Sequence, residues 1–422
     1  MMKKKNMSRS LSGLTSGIAL SAFCLVTPAH ADPVKAQVMH WWTSGSEASA
    51  LQVMVKDFNA NGGEWVDNAV PDFESALAAA TSSIIGGNPP DALQFNAGTQ
   101  FADLAQKGYL TDLSSYAETG HWDKALPPAL LKAVSYDGKV YAMPVDNHGE
   151  NWLWVNKKVM ADAGVTMPED WSGFFPMLDT LKAAGVTPIA HGGEAWQTLE
   201  LFYQVMMFRG DLDLYNAILV DGDTDKINSP EFKAFAEDFK RLTNYIDAGS
   251  PGRKWNDATA MVIQGKAAMQ FMGDWAKGEF TAAGLEAGKD YECLLGLGGK
   301  DHFVISSDVF VLPAAKRQDK KAVDDLLVKT MMSPEVQVAF NKVKGGIPAR
   351  LDADGSSLDA CASKGYKAMQ DPSMQVAGPE ISASADRVGA IQDAVSEYWN
   401  TPSMSAEDFA ASLTDAIEMT AE

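Results

Sequence analysis

The chain has 422 residues, and its 55 acidic against 35 basic side chains give a formal net charge of −20. Such a balance opposes nucleic acid and anionic membrane surfaces, so neither is predicted as a partner. The length exceeds what one hydrophobic core usually serves, which predicts two lobes.

The first 31 residues are predicted to be a cleavable secretory signal peptide. Lysines at positions 3–5 precede an apolar stretch at 11–26, and residues 29–31 (Ala-His-Ala) supply small side chains for cleavage. The stretch is too short and interrupted for a membrane anchor, and no later segment is apolar enough to cross a bilayer. Phe23 precedes Cys24, which disfavours lipid attachment. We therefore expect a released periplasmic protein without stable membrane insertion.

The first elements after this segment alternate between strand and helix. Residues 34–42 read as a strand, and Ser46 with Glu47 is predicted to open a helix. A strand at 65–70, a helix at 73–85 and a strand at 92–95 follow in order. This alternation is typical of a parallel α/β sheet.

Later segments indicate that the chain returns to the first lobe. A strand-like run at 139–145 is broken by the polar stretch 146–149, where we place the first crossing between lobes. An amphipathic helix with a phenylalanine stripe is predicted at 230–246, a strand at 303–312, and a helix or helix pair at 320–342. The predicted organisation is lobe 1 at 32–146 and 306–344, and lobe 2 at 147–305 and 345–422.

Sequence motifs of common enzyme classes are missing. The chain has no HExxH, GxSxG, Walker or strand-linked GxGxxG motif, and its histidines lack metal-ligand spacing. Neither a metal nor a cofactor is therefore predicted. A secreted carbohydrate-active hydrolase is the alternative to a binding protein, with Glu47 and Asp308 as acid and nucleophile.

Tryptophan stands out, because all eleven tryptophans lie after the predicted leader. Sugars have apolar ring faces and a rim of hydroxyls, so their sites combine flat aromatic rings with amides and charged groups. Trp41, Trp42 and Glu47 lie at the end of the first strand, where open α/β sheets place ligands. A second group comprises Trp255 and the segment 273–275. Core packing, and a helix cap at 256 or 257, are the alternatives for these groups.

Two cysteines, Cys293 and Cys361, remain after removal of the leader. The exported compartment is oxidising, so one disulfide is expected, with two separate buried thiols as the alternative.

An ordered series of short motifs runs through the chain. The motifs are WWTSG at 41–45, GNPPDA at 87–92, Gln94 with Asn96, WNDA at 255–258, QGKAAM at 264–269, MGDW at 272–275, Ser307 with Asp308, and KGGIPAR at 344–350. Together they resemble the extracellular solute-binding proteins of ABC sugar importers, and most closely those of the glucose- and mannose-binding type.

This resemblance implies a two-lobed α/β periplasmic binding protein (Venus-flytrap) fold with a ligand cleft between the lobes. It implies a monomer that catalyses nothing, closes on glucose or a related hexose and delivers it to an ABC permease. It also implies a bond between Cys293 and Cys361. The residues that it implies face the sugar are Trp41, Trp42, Glu47, Gln94, Trp255, Asp274, Trp275, Asp308 and Lys344.

Asn96 and His148 complete the predicted site, and both lie where the chain departs from the pattern. Relatives often carry His or Lys in place of Asn96, and His-Arg-x-Asn where this chain has His-Gly-Glu-Asn at 148–151. They also often carry a late histidine, whereas this chain has none after His302. These departures leave the identity of the sugar open. Alanine at Trp42 or Asp308 is expected to weaken sugar binding without changing the melting temperature of the ligand-free protein.

Overall fold

A computed structural model describes residues 33–421; the predicted signal peptide at 1–31 lies outside them. The strands of the described residues are β1 (Val34–His40), β2 (Gly63–Ala69), β3 (Ala92–Asn96), β4 (Ser135–Tyr136), β5 (Lys139–Val140), β6 (Ala142–Pro144), β7 (His148–Gly149), β8 (Leu153–Asn156), β9 (Thr187–Ile189), β10 (Ala267–Phe271), β11 (Tyr291–Leu294), β12 (Phe303–Ser306), β13 (Asp308–Val311) and β14 (Gln375–Ala377).

The α-helices of the described residues are α1 (Gly45–Ala60), α2 (Phe73–Ile85), α3 (Ala102–Gln106), α4 (Ser114–Thr119), α5 (Trp122–Ala125), α6 (Pro128–Ala133), α7 (Lys157–Asp162), α8 (Phe174–Ala183), α9 (Ala195–Arg209), α10 (Leu212–Tyr215), α11 (Thr224–Ile227), α12 (Pro230–Arg241), α13 (Trp255–Ile263), α14 (Ala276–Ala282), α15 (Lys320–Met331), α16 (Pro334–Lys344), α17 (Ala360–Gln370), α18 (Pro379–Ser382), α19 (Ala385–Asn400) and α20 (Ala406–Met419).

The first lobe is built on a five-stranded sheet with the order β2-β1-β3-β13-β6. β1 pairs in parallel with β2 and β3, as the strand and helix alternation predicts, whereas β13 runs antiparallel to β3 and β6. Helices α1, α15 and α16 cover this sheet. The α1 side chains Leu51, Met54 and Phe58 are buried in its core, because their spacing places them on one face of the helix.

The second lobe contains a four-stranded sheet, β11-β8-β10-β9, and a small sheet, β14-β12-β7. Its larger core brings these strands together with α8, α9, α12, α19 and α20. Phe202 of α9 contacts Phe235 and Phe239 of α12 and Phe409 of α20 through its ring edges. The predicted phenylalanine stripe is therefore core packing, although the α-helix ends at Arg241 and continues only as a 3₁₀ turn.

The strand predicted at 303–312 is in fact two strands in two different sheets. β12 ends at Ser306 in the second lobe, and β13 begins at Asp308 in the first. Ser307, between them, donates its hydroxyl to the carbonyl of Asp146. Residues 303–305 and 309–312 are apolar because both strands are buried, and the polar stretch 306–308 between them is where the chain changes sheet.

The segments that cross between the lobes lie next to one another. The backbones of Asn147 and Ile347 are hydrogen-bonded in both directions, at 2.8 and 3.1 Å. The amide of Asp308 donates to the Asp146 carboxylate at 2.8 Å. Three crossings, near residues 146, 307 and 346, therefore form one hydrogen-bonded junction.

Cys293 of β11 and Cys361 of α17 form a disulfide, which confirms the predicted pairing and rules out two separate thiols. Within the part of the chain that is described, none of the helices has the length and apolar character that crossing a bilayer requires.

We expect the double variant Cys293→Ser/Cys361→Ser to lose about 4 kcal/mol of unfolding free energy, because the bond closes a loop with a sequence separation of 68. Urea denaturation of the oxidised protein and the variant measures this loss. A reducing agent should destabilise the parent and leave the variant unchanged. Equal stability of parent and variant would contradict the expectation.

Candidate functional site

A cavity of about 580 Å³ lies between the two lobes. The first lobe contributes the segment after β1, the start of α2 and the end of β3. The second lobe contributes α9, α13, the turn before α14, and α18 with α19. Of the predicted residues, the structure places these in the cavity wall: Trp41, Glu47, Asn96, His148, Trp255, Trp275, Asp308 and Lys344.

The tandem tryptophans at the end of β1 have different surroundings. Trp41 is half-buried, lines the cavity and meets Phe73 edge-on at 5.1 Å between ring centres. Trp42 is 1% exposed and packs on Phe310 and Phe340 in the core. Consecutive residues of an extended chain point to opposite sides, and here only one side is the cavity. The structure therefore places Trp42 behind the cavity wall and not at the predicted contact with the sugar.

Two further predicted residues support the cavity wall from behind. Gln94 donates to Asp308 at 2.8 Å, and its carbonyl oxygen accepts the backbone amide of Trp41 at 3.0 Å. Asp274 accepts from the backbone amide of Gly149 at 2.9 Å and contacts His148 Nδ1 at 2.5 Å. Both side chains are buried and lie outside the cavity lining. Their predicted contact with the sugar is corrected to positioning of Trp41, Asp308 and His148.

Asp308 is the centre of a buried charged cluster. Lys344 Nζ and His148 Nε2 each lie 3.0 Å from its Oδ2, and the Trp42 indole N–H donates to the same oxygen at 3.2 Å. Asp146 lies 3.2 Å from His148 Nε2. Removal of any one partner would leave the others charged in a site with little water, which is costly.

The charges of this cluster alter one another's ionisation. Burial would raise the pKa of Asp308, but Lys344 and His148 outweigh it and hold that pKa well below its ordinary value. Burial opposes the charged form of His148, but Asp146 and Asp274 overcome both burial and the repulsion from Lys344, so its pKa is raised well above the usual range. Burial raises the pKa of Glu47, against the effect of Lys344.

Glu47 is oriented by the way helix α1 begins. Ser44, rather than the predicted Ser46, caps the helix, and its hydroxyl accepts the Glu47 amide at 3.2 Å. The Glu47 carboxylate in turn accepts the Ser44 amide at 3.2 Å, which completes a capping box. This arrangement holds a buried carboxylate at the cavity wall.

The second-lobe wall presents three half-buried tryptophans: Trp196, Trp255 and Trp275. Trp275 meets the His148 ring edge-on at 5.1 Å and lies 6.3 Å from Trp196, between ring centres. Helix α13 begins at Trp255, with Lys254 as its N-cap, so the alternative of a cap at 256 or 257 is wrong. The sequence analysis missed Trp196, which lies in the first turn of α9 and outside the motifs that carry the family resemblance.

Carboxyl groups of the second-lobe wall were also missed. Glu150, Glu200 and Glu380 line the cavity together with Tyr203. Glu200 lies in α9, where every residue from Gln197 to Phe208 is buried. A carboxylate within so apolar a helix was the available signal, because a buried charge requires a partner or a function.

Asp146, His148 and Asp308 are the one group of the described residues with the spacing of metal ligands, their donor atoms lying within 4.8 Å of one another. The Lys344 ammonium lies 3.0 Å from Asp308 and 3.8 Å from Asp146, so a cation already neutralises this group.

The lobes touch around the cavity. Ser46 donates its hydroxyl to Glu279 at 2.7 Å, Thr99 donates to the carbonyl of Ala383 at 2.8 Å, and Lys254 lies 3.8 Å from Asp72. Gly98 has a φ of 117°, and a Cβ there would lie 2.1 Å from the carbonyl oxygen of Glu380. Glycine at this position therefore permits the close approach of the two lobes.

Comparison with known proteins identifies similar chains. A family model described as bacterial extracellular solute-binding protein matches residues 42–338. The chain is 36% identical to a probable sugar-binding periplasmic protein of Brucella suis biovar 1 (strain 1330), covering 90% of this chain and 91% of that one. It is 35% identical to a protein of the same description from Rhizobium meliloti (strain 1021), covering 95% and 97%.

A solved structure of a chitin oligosaccharide binding protein superimposes with a TM-score of 0.76 at 19% identity, over 92% of this chain and 99% of that one. At this identity the likeness shows the fold alone. It confirms the predicted two-lobed α/β fold.

We expect Trp42→Ala to lower the unfolding free energy of the ligand-free protein by roughly 3–5 kcal/mol, because it empties a core site against Phe310 and Phe340. The sequence-based expectation of an unchanged melting temperature is therefore withdrawn for Trp42. Urea denaturation measures the loss, with Trp41→Ala as the matched control, since Trp41 is only half-buried. Equal losses in the two variants would contradict this assignment.

We expect His148 to remain protonated at pH 7.5, because Asp146 and Asp274 raise its pKa despite burial. We expect His191 to be neutral, because burial and Arg253 lower its pKa to about 3. Nitrogen chemical shifts of the two imidazoles in a pH titration measure this. The folded-state pKa of His148 lies above its unfolded value near 6.5. Its contribution to stability is therefore complete below about pH 6.5 and is lost as the pH rises through the folded-state pKa. A neutral His148 at pH 7.5 would contradict this expectation and would allow Lys344 Nζ, 3.1 Å from His148 Nε2, to donate to it.

Proposed function

The chain belongs to the bacterial extracellular solute-binding proteins, and from this we propose that it is the sugar-capturing subunit of an ABC importer. The observation that carries the proposal is a cavity between two lobes with indole rings and buried hydrogen-bonding groups in its wall. Relatives described as sugar-binding and periplasmic support the same function and a location outside the cytoplasm. We infer that the leader directs it to the periplasm.

The cavity chemistry suits a neutral ring with hydroxyls at its edge. Indole rings of Trp41, Trp255 and Trp275 offer flat apolar surfaces, and Asp308 with Lys344 offers an acceptor and a donor for hydroxyls. A volume of about 580 Å³ lies within the range of small-molecule sites. The ligand that we propose is a monosaccharide, glucose or a related hexose.

Capture then proceeds by lobe closure. We propose that residues 32–146 and 306–344 move as one lobe, and 147–305 and 345–422 as the other, about the junction near residues 146, 307 and 346. Closure brings Trp41 and Trp275 to the same ligand, since they lie in different lobes. A ligand that contacts both lobes favours the closed state. The closed protein, acting as a monomer, is what the permease recognises.

The relatives are binding proteins, and the chain is not an enzyme. Glu47 serves the capping box of α1, and Asp308 accepts from Gln94 and Trp42 in its ion-pair cluster. These contacts favour fixed acceptors over an acid and a nucleophile, so the hydrolase alternative is set aside.

We expect glucose or another hexose to raise the melting temperature of the purified protein, because a ligand that binds only the folded state stabilises it. A thermal-shift screen of glucose, mannose, galactose, xylose and common disaccharides measures this. Trp275→Ala should weaken binding of the selected sugar at least tenfold, about 1.4 kcal/mol, as it removes a stacking surface.

Trp171→Ala is the matched control, because Trp171 stacks on Phe174 outside the cavity and should leave sugar affinity unchanged. Parental affinity in Trp275→Ala would remove this residue from the site. Absence of a shift with every sugar, neutral or aminated, would refute the proposed function.

A further inference from the structure

Three carboxyl groups of the cavity wall are not paired with a cationic side chain of the described residues. Glu150 follows β7, Glu200 belongs to α9, and Glu380 belongs to α18. Glu150 and Glu200 are 5% and 3% exposed. Among the described residues, none of the three forms a salt bridge, although each lines the cavity.

The hydrogen-bonding capacity of this group is only partly used. Glu150 accepts from the Tyr203 hydroxyl at 2.9 Å, and Glu200 Oε1 accepts from Gln204 at 2.9 Å. Glu200 Oε2 and Glu380 Oε2 are buried and have no hydrogen-bond partner among the described residues. Buried acceptors are almost always paired, so two unpartnered carboxyl oxygens at one cavity wall are available to accept hydrogen bonds from a ligand.

The three groups also act on one another electrostatically. Burial raises the pKa of Glu150, and the nearby Glu380 raises it further. Burial also raises the pKa of Glu200, and Glu150 raises it further, whereas the Gly273 amide lowers it. His148 lowers the pKa of Glu150, but its own charge is engaged by Asp146, Asp274 and Asp308. Neighbouring buried carboxylates ionise together only when a cation joins them.

The numbers of acidic and basic side chains in the cavity wall also favour a ligand with a positive charge. The wall contains eight carboxyl groups but two lysines and one histidine, so it would carry a surplus of negative charge if all these groups were ionised. Lys344 is paired with Asp308, and Lys254 with Glu194. The positive charge that would balance Glu150, Glu200 and Glu380 is therefore left for the ligand to supply.

We propose that the ligand is an amino sugar, a hexose whose protonated amine binds among Glu150, Glu200 and Glu380. This inference rests on the proposed function and names its substrate class. An ammonium carries three donors and no acceptor, which matches a group of acceptors with two free oxygens. A hydroxyl carries one donor and brings lone pairs of its own. The hydroxyls at the other end of the ring would meet Asp308 and Lys344.

The test compares each amine with its neutral parent by calorimetry at pH 7 on the purified protein. The pairs are glucosamine with glucose, galactosamine with galactose, mannosamine with mannose, and 6-amino-6-deoxyglucose with glucose; N-acetylglucosamine is the neutral derivative. We expect at least one amine to bind tenfold or more tightly than its parent and N-acetylglucosamine to show no such gain. In Glu200→Gln the ratio of amine to parent affinity should fall at least tenfold.

Glu380→Gln repeats the test at a second carboxyl, and both changes preserve side-chain size. Glu231→Gln removes an equal charge from the exposed start of α12, outside the cavity, and should leave the ratio unchanged. An unchanged ratio in both Glu200→Gln and Glu380→Gln would overturn the inference.

Two other outcomes separate the inference from the proposed function. If neutral sugars bind and every parent binds at least as tightly as its amine, the inference is overturned while the proposed function stands, and the carboxyl groups act in their protonated form. If no sugar binds, neutral or aminated, the proposed function fails and the inference falls with it.

Discussion

The ion pair between Asp308 and Lys344 is the interaction on which the site depends. Both side chains are nearly inaccessible to water, at 4% and 2% exposure, and isolated charges at such depth would be costly. Each is therefore tied to the other, and His148 joins them through the same oxygen. All three residues lie at segments where the chain passes between lobes. The polar centre of the cavity and the junction of the lobes are thus one structure, so the lobe closure that we propose would also change the geometry of the polar groups.

Two groups of carboxyl side chains in the cavity wall are in different electrostatic states. At the junction, carboxylates and cations are paired within the protein, and Gln94, Trp42 and the Gly149 amide donate to Asp308 and Asp274. Glu150, Glu200 and Glu380 instead have one another as charged neighbours. A ligand in the cavity therefore meets one group that is neutralised within the protein and one that is not. Under the amino-sugar proposal, the first group fixes the orientation of the ligand and the second discriminates between ligands by charge.

The aromatic residues divide between core and cavity according to backbone direction. Trp42, Trp152 and Trp154 are fully buried and stabilise the lobes, whereas Trp41 and Trp275 are half-buried at the cavity. A buried ring still affects the site, since the Trp42 indole N–H donates a hydrogen bond to Asp308. Sugar sites and hydrophobic cores use the same residue, so tryptophan content alone does not distinguish them.

The sequence by itself determined the properties that depend on local order along the chain. Alternation of apolar segments and turns predicted the α/β class, the ordered motifs predicted the family, and the end of the first strand predicted Trp41 and Glu47 at the cavity. The oxidising compartment and the family resemblance predicted the disulfide. The class and the cavity residues follow from periodicity and chain position, whereas the family and the disulfide pairing follow from the resemblance; none of these requires coordinates.

Only the tertiary structure decided which side chains reach the cavity and which support it from behind. Trp42, Gln94 and Asp274 lie behind the wall because strand alternation and lobe packing set their direction. The polar stretch 306–308 separates two short apolar runs, but only the strand pairing shows that these runs belong to different sheets. Glu150, Glu200 and Glu380 are far apart in sequence and meet only because β7, α9 and α18 converge in the second lobe. Local patterns describe neighbours within a few residues, whereas this group depends on long-range packing.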